Sequence, residues 1–558
     1  MTDPTAIERY RIPDLLRKPV EEALDAALQA GWPARIWGRD TSVWTADPEV
    51  AARIANRLGW LDAPQHFGGH MDELAVFAAT TGASGIRQAL VCGMGGSSLA
   101  PEVLAGAYPM GEEGIPVGVL DSTDPEAVRR ATEAFEPSTT LYLIASKSGT
   151  TTETLAFLEH FWALERAGHH EIGSRDEGEH FAAIGDPGPA LEAVPHSDEF
   201  RAVFLNPPDI GGRYSALSYV GLVPGALLDL DLEALLADGR RMAEACRAED
   251  AGNPGLALGT ALGALALEGR DKLTFVIEPG IAGFGAWAEQ LVAESTGKNG
   301  WGIVPVDGEP LGAPGDYGPD RIFVRLSREA AAGWRAETDV TLDGLAAAGH
   351  PVIDLVIPEG EGLGGEFFRW EFATAVAGAV IGVDPFDEPN VTESKENTRR
   401  VLAGYREFGR LPAEEGLSVR APLAARLGAH LALAPENGYV AVQAYVARTP
   451  ERDARLAALR ERLRSRTGLA TTVGYGPRLL HSTGQLHKGG PPTGCFLQLV
   501  ADHPADVPIP GAAESFGMLI DAQALGDLAS LRAHGRPVLR VGLGADPDAG
   551  LDALIAAL

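Results

Sequence analysis

Early in the chain, three segments run through several apolar residues without a charge and then stop on glycine, serine or aspartate: RQALVCGMGGSS, IPVGVLDSTD and TLYLIASKSGTT. A strand without polar alternation is buried on both faces, so it needs helices above and below it. Helix-length segments do follow, such as ETLAFLEHFWALERAG. The pattern predicts an α/β fold with doubly wound parallel sheets. It resumes near residue 236, with KLTFVIEPG and GIVPVDG around GAWAEQLVAEST, then RIFVRLS and PVIDLVIP. It resumes again after the loop-like GRLPAEEGLSVRAP, with GYVAVQAYVA, GCFLQLVAD and PVLRVGLG.

A chain of 558 residues has room for three or four cores. We expect an N-terminal helical arm over 1–65, two doubly wound units over 66–235 and 236–411, and a third C-terminal α/β unit over 412–558. MTDPTAIERY lacks a basic start followed by an apolar run, so no signal peptide is read there. No uncharged run is long enough to span a bilayer. The three cysteines lie far apart, which fits a reducing compartment. The expectation is a cytoplasmic protein.

The formal net charge is −31. Such acidity argues against nucleic acid and anionic membranes as partners. An anionic substrate would have to find its positive charge locally. Only six basic residues are lysine: Lys18, Lys147, Lys272, Lys298, Lys395 and Lys488. Lysine is a compact charge that can release a proton, which arginine does not do. Four of the six, Lys147, Lys298, Lys395 and Lys488, fall in the unusual stretches described next.

GMGGSS (93–98) follows a strand and opens a helix, an arrangement that points backbone N–H groups at an anion. Its last position is Ser98, so the dinucleotide fingerprint fails there, although Asp121 at the end of the next strand keeps that reading open. SKSGTT (146–151) offers the hydroxyls of Ser146, Ser148, Thr150 and Thr151 with the charge of Lys147, at the sheet edge where ligands bind in this architecture. That is the chemistry of a phosphate cup. A helix cap completed by Glu153 would explain only some of those hydroxyls. GGRYS (211–215) puts Arg213 behind glycines that let a backbone come close to a ligand. Gln290 and Glu294 stand four apart on one helix face. Partial desolvation there would raise Glu294 towards a useful general base. HSTGQLHKGG (481–490) gathers two histidines and a lysine in a glycine-rich stretch. No H-x-H or C-x-x-C spacing suggests a metal.

Taken in order, GMGGSSLAPE, SKSGTTTET, GGRYS, EQLVAESTGK and PFDEPNVTESK resemble the glucose-6-phosphate isomerase family, with its two sugar-isomerase (SIS) domains. The chain resembles in particular the isomerase half of transaldolase–isomerase fusions. The family usually has a larger residue in place of Gly149. The resemblance implies an aldose–ketose isomerase that interconverts glucose 6-phosphate and fructose 6-phosphate without a cofactor. It implies that Gly96, Ser97, Ser146, Lys147, Ser148, Thr150, Thr151, Gly212 and Gln290 bind the sugar phosphate. Lys395 and a histidine would open the ring, Glu294 would move a proton through a cis-enediol, and Arg213 would stabilise the developing charge. The family's histidine lies between the glutamate and the lysine, where this chain has only His350 in an unmatched context. His481, ahead of His487 and His350, is therefore expected to come from the third unit. The competing readings are a non-catalytic sugar-phosphate sensor on the SIS fold and a dinucleotide-binding oxidoreductase. Monomer and homodimer both remain open.

Overall fold

The computed structural model describes residues 8–172, 177–188, 191, 194–414, 416–419 and 422–558. The start of the expected arm, 1–7, lies outside them, as do 415, 420 and 421 of the loop-like stretch before the third unit. Three five-stranded sheets carry the fold.

The N-terminal stretch is not purely helical as expected. It opens with β1 (Glu8–Arg11), which pairs antiparallel with the edge of the second sheet, before α1 (Asp14–Gln29). Four residues with two arginines give no apolar signal, and an edge strand needs none on its open side.

The first sheet has the order β3-β2-β4-β5-β6 and is parallel throughout. Its strands are β2 (Gln88–Gly93), β3 (Val117–Leu120), β4 (Thr140–Ala145), β5 (Phe181–Gly185) and β6 (Ala202–Leu205). β4 is buried at every residue, as its unbroken apolar run requires. Helix α2 (Gly96–Ala107) leaves the glycine-rich loop, and α3 (Thr152–Ile172) leaves the hydroxyl-rich loop. The expected boundary at 235 falls inside α4 (Leu232–Ala245), which Asp231 caps by accepting from the Ala234 N–H.

The second sheet has the order β1-β10-β9-β7-β8. β7 (Lys272–Ile277), β8 (Val304–Val306), β9 (Arg321–Arg328) and β10 (Val352–Ile357) are parallel. Around it lie α5 (Pro254–Leu267), α6 (Gly283–Thr296), α7 (Leu363–Ile381) and α8 (Pro389–Phe408). One apolar core runs through both sheets, from Val91 and Leu143 to Phe275 and Val324.

The third sheet, order β11-β15-β14-β12-β13, is again parallel. It contains β11 (Leu417–Ser418), β12 (Tyr439–Tyr445), β13 (Ala470–Tyr475), β14 (Gly494–Val500) and β15 (Val538–Gly542). β11 lies in the stretch read as a loop, and β13 (ATTVGY) is a strand that the sequence reading missed. This sheet has its own core of Val440, Leu456, Leu497 and Val541. Two further clusters fasten the unit to the rest. In one, Phe516 and Leu519 pack with Phe157 and Tyr142 of the first unit. In the other, Tyr439, Leu486 and Phe496 pack with Val304 and Val306 of the second. Phe516 and Leu519 belong to α10 (Phe516–Ala533), which follows the short α9 (Gly484–Gly489).

Candidate active site

The three units meet at the loop between β2 and α2. Gly95 has φ +55°, and a Cβ there would stand 2.6 Å from the carbonyl oxygen of His481 and 2.9 Å from Gln290 Nε2. At Gly96 a Cβ would stand 2.1 Å from the Gly212 carbonyl oxygen. The glycines admit three other chain segments to one point, a demand beyond the anion loop expected from GMGGSS. Ser97 is half-buried at the start of α2, and Gly212 is exposed.

α6 is buried along almost its whole length and carries Gln290 and Glu294 into this junction. Gln290 Nε2 donates to the His481 carbonyl at 2.7 Å and to Glu294 Oε2 at 3.3 Å. Burial pushes the Glu294 carboxyl up to about 7; Arg213 opposes the push and Glu388 adds to it. Arg213 is buried and held from several sides. Its Nε donates to Ser295 Oγ at 2.8 Å, and its Nη2 to the carbonyls of Pro385 and Asp387 at 2.8 and 2.9 Å. One Nη1 bond goes to Glu388 at 3.1 Å, and Nη1 stands 3.5 Å from Glu294 Oε2. Five donors and four bonded acceptors leave one Nη1 hydrogen on the Glu294 side. Lys298 lies in the same cluster, bonded to the Asp384 carbonyl and 2.9 Å from Asp387 Oδ1. Burial lowers its ammonium to about 8, with Arg213 adding to the effect.

The hydroxyl-rich loop closes on itself. Ser146 Oγ and Thr151 Oγ1 are 3.0 Å apart, as are Ser148 Oγ and Thr150 Oγ1. Gly149 between them has φ +62°, which a larger residue would adopt only under strain. Lys147 does not stand free in the cup. Its Nζ lies 2.6 Å from Asp186 Oδ2 and donates to the Pro208 carbonyl at 3.0 Å.

Glu153, read from sequence as a possible cap, is buried and turned towards the third unit. His481 Nε2 stands 2.9 Å from its Oε1. Burial works against the Glu153 carboxylate, but the His481 imidazole and its hydrogen bonds hold the carboxyl below the ordinary glutamate range. Lys395 lies on α8 with its side chain half-buried. It lines a cavity of about 30 Å³ with Glu153, Ser394, His481 and Gln523, and forms no hydrogen bond or ion pair with another side chain among the described residues.

The other two histidines are elsewhere. His350 is buried against Tyr317 and Phe323, just before β10 and at the opposite edge of its sheet. His487 is sealed beneath the third sheet between Tyr439 and Phe496, and burial drives its imidazole far below the ordinary range. Lys488 beside it forms a buried ion pair with Asp527 at 2.6 Å. Asp121, which had kept the dinucleotide reading open, is held 2.6 Å from Arg478 Nε of the third unit. A cavity of about 750 Å³ lies between the N-terminal segment and α5, away from all these groups. Sequence reasoning missed Glu388 and Gln523 as members of the site, and it missed the role of Glu153.

A family model for phosphoglucose isomerase matches residues 70–261. Glucose-6-phosphate isomerase of Rubrobacter xylanophilus is 30% identical over 383 residues, covering 60% of this chain and 88% of that protein. A Thermus thermophilus enzyme of the same name is 31% identical over 391 residues, covering 62% and 90%. The solved structure of a hypothetical protein from Thermus thermophilus superposes with a TM-score of 0.60 at 26% identity, over 71% of this chain and 100% of that one. A glucose-6-phosphate isomerase structure from Chlamydia trachomatis shares the fold, with a TM-score of 0.52 at 21% identity over 67% and 78% of the two chains.

Proposed function

The chain belongs to the glucose-6-phosphate isomerase family, and from that premise we propose that it interconverts glucose 6-phosphate and fructose 6-phosphate by ring opening and proton transfer through a cis-enediol. The observation that carries this reading is Glu294. It is a buried carboxyl with its proton held to about 7, beside an arginine hydrogen and an amide that reaches the histidine segment. A base moving a proton between adjacent carbons near neutral pH needs that balance of proton affinity.

The other groups take complementary parts. Ser146, Ser148, Thr150 and Thr151 supply hydroxyls for the phosphate, with Lys147 as the nearby charge. Glu153 is ionised and only accepts, so His481 carries its proton on Nε2 and keeps Nδ1 for the sugar. Lys395 shares the small cavity with His481 and brings the cation to ring opening. The free Nη1 hydrogen of Arg213 serves charge developing beside Glu294. Isomerisation shifts a proton and an electron pair within one molecule, so it consumes no redox partner.

The test is a coupled assay of purified protein with fructose 6-phosphate, following glucose 6-phosphate. Conversion, with an acid limb of kcat/KM near pH 7, supports the proposal. Fructose 6-phosphate binding without conversion would leave a sensor, and a thermal shift with NAD alone would favour the oxidoreductase.

A further inference from the structure

We infer that Gln523, with Thr123 behind it, is a positioning residue that holds the Glu153–His481 pair in one protonation pattern. The inference rests on the isomerase reading for its kinetic consequences, but its geometry stands apart from that reading. Gln523 Nε2 donates to Glu153 Oε1 at 2.6 Å, the same oxygen that lies 2.9 Å from His481 Nε2. Thr123 Oγ1 donates to Gln523 Oε1 at 2.7 Å. Thr123, Glu153 and Gln523 are all buried, at 0, 5 and 2% exposure, so water does not substitute for these bonds.

The chain of bonds has only one workable direction. If the Gln523 amide were turned over, its oxygen would face the ionised Glu153 oxygen at the same short distance, with no hydrogen between them. The ionised Glu153 oxygen removes that alternative, and the Thr123 hydroxyl then donates to Gln523 Oε1 and holds the amide in the orientation that remains. The amide hydrogen then points at Glu153, which keeps the carboxylate charged and fixes which oxygen meets the histidine. His481 in turn can only donate from Nε2.

The supporting elements come from separate units. Thr123 follows β3 and Glu153 opens α3, whereas Gln523 lies on α10 of the third unit. Ile520 and Ala524 on the same helix pack with Leu479 and Leu480, the two residues before His481. A single helix therefore fixes both the backbone that carries the imidazole and the amide that orients its acceptor. The other charged groups around the pair are Lys395 and Arg399 from α8, which line the same cavity, and Glu294 from α6, which Gln290 links to the His481 carbonyl.

The experiment compares Gln523→Leu and Thr123→Val with the unmodified full chain. The first removes the donor. The second is nearly isosteric, removes only the hydroxyl, and decides the matter if the first does not fold. Loss of a whole acid–base group costs on the order of 10²–10⁴-fold in rate, so loss of its orientation should cost Q523L about tenfold in kcat. T123V should lose about threefold on the same scale. KM for fructose 6-phosphate should stay within about twofold, since the phosphate contacts are untouched. With one donor fewer, Glu153 protonates more readily, so the acid limb of kcat, which Glu294 sets near pH 7, should steepen at a higher pH than in the unmodified protein. The nitrogen-15 resonances of His481 should show one tautomer, with the proton on Nε2, in the unmodified protein and a mixture in the variants. If T123V keeps the kcat, the acid limb and the single tautomer, the inference is overturned. A rise in KM at constant kcat in a folded variant would also overturn it, because Gln523 would then be a substrate contact. If the unmodified chain converts no sugar phosphate, the isomerase reading fails, and the tautomer measurement alone decides the role of Gln523.

Discussion

Replacing Glu294 with glutamine should lower activity and raise stability, and only in one range of pH. The carboxyl is held near 7 in the folded chain against an ordinary 4.5, chiefly by burial. Between 4.5 and 7 the unfolded chain has released this proton while the folded chain still holds it. The protonated carboxyl's contribution to stability is therefore complete below 4.5 and gone once pH has risen through 7. The gap corresponds to about 3 kcal/mol. Glutamine is neutral at every pH and keeps the shape, so E294Q escapes that loss. The attraction to Arg213 at 3.5 Å is already within that gap, since it pulls the carboxyl down from where burial alone would put it. The figure of about 3 kcal/mol is thus the ceiling. The assay is chemical unfolding of both proteins at pH 5 and pH 8.5. Their midpoints should lie close together at pH 5, with E294Q higher at pH 8.5. Isomerase turnover in the same protein should fall on the order of 10²–10⁴-fold, with fructose 6-phosphate binding kept. Turnover near normal, or midpoints that run parallel between the two pH values, would refute the reasoning.

Three further outcomes are expected. Lys147→Ala should raise KM for phosphorylated sugars by roughly tenfold, the loss of one charge-assisted hydrogen bond, and leave kcat within a few-fold; steady-state kinetics with a phosphorylated competitor checks this. His481→Ala should lower kcat by about 10²–10⁴-fold without weakening a phosphorylated inhibitor, measured from cyclic glucose 6-phosphate. A chain ending near residue 411 should aggregate, because it uncovers Phe157 and Tyr142 where Phe516 and Leu519 now pack; light scattering reads the result, and a soluble monodisperse product would count against it.

The parallel sheets were legible because unbroken apolar runs such as TLYLIA admit few other fates. β1 and β13 were not. ERYR has no apolar signal, and its pairing with Val352–Leu355 is more than 300 residues away in sequence. ATTVGY is short and half polar, and its burial comes from the neighbouring β12. At the site, chemically unusual residues stood out: a lysine among hydroxyls, an arginine behind glycines, a helical Gln and Glu four apart. Residues of ordinary type did not. Glu153 reads as a helix start, and Gln523 sits in ALGDL-type surroundings that suggest nothing but a helix. Their roles arise only when α3 and α10 meet, and no spacing within one element announces such a meeting.

That meeting explains why the third unit reads as part of the site and not as an attachment. The junction at Gly95 and Gly96 leaves no room for a side chain, because His481 and Gln290 on one side and Gly212 on the other already occupy it. Gln290 then ties the His481 backbone to the helix that carries Glu294, while Glu153 ties the His481 ring to the helix that leaves the hydroxyl-rich loop. Backbone and ring are held by different units, so the imidazole is fixed only when all three are assembled. Arg478, three residues earlier, pairs with both Glu102 and Asp121 and anchors the same turn to the first unit. Three carboxylates, Glu102, Asp121 and Glu153, and the Gln290 amide thus hold a turn of four residues, Arg478–His481, from two sides. Burying such polar groups is costly unless each finds its partner, and here the partners lie across unit boundaries. The third unit is therefore held in one register against the other two, and that register sets where His481 stands relative to Glu294 and Lys395.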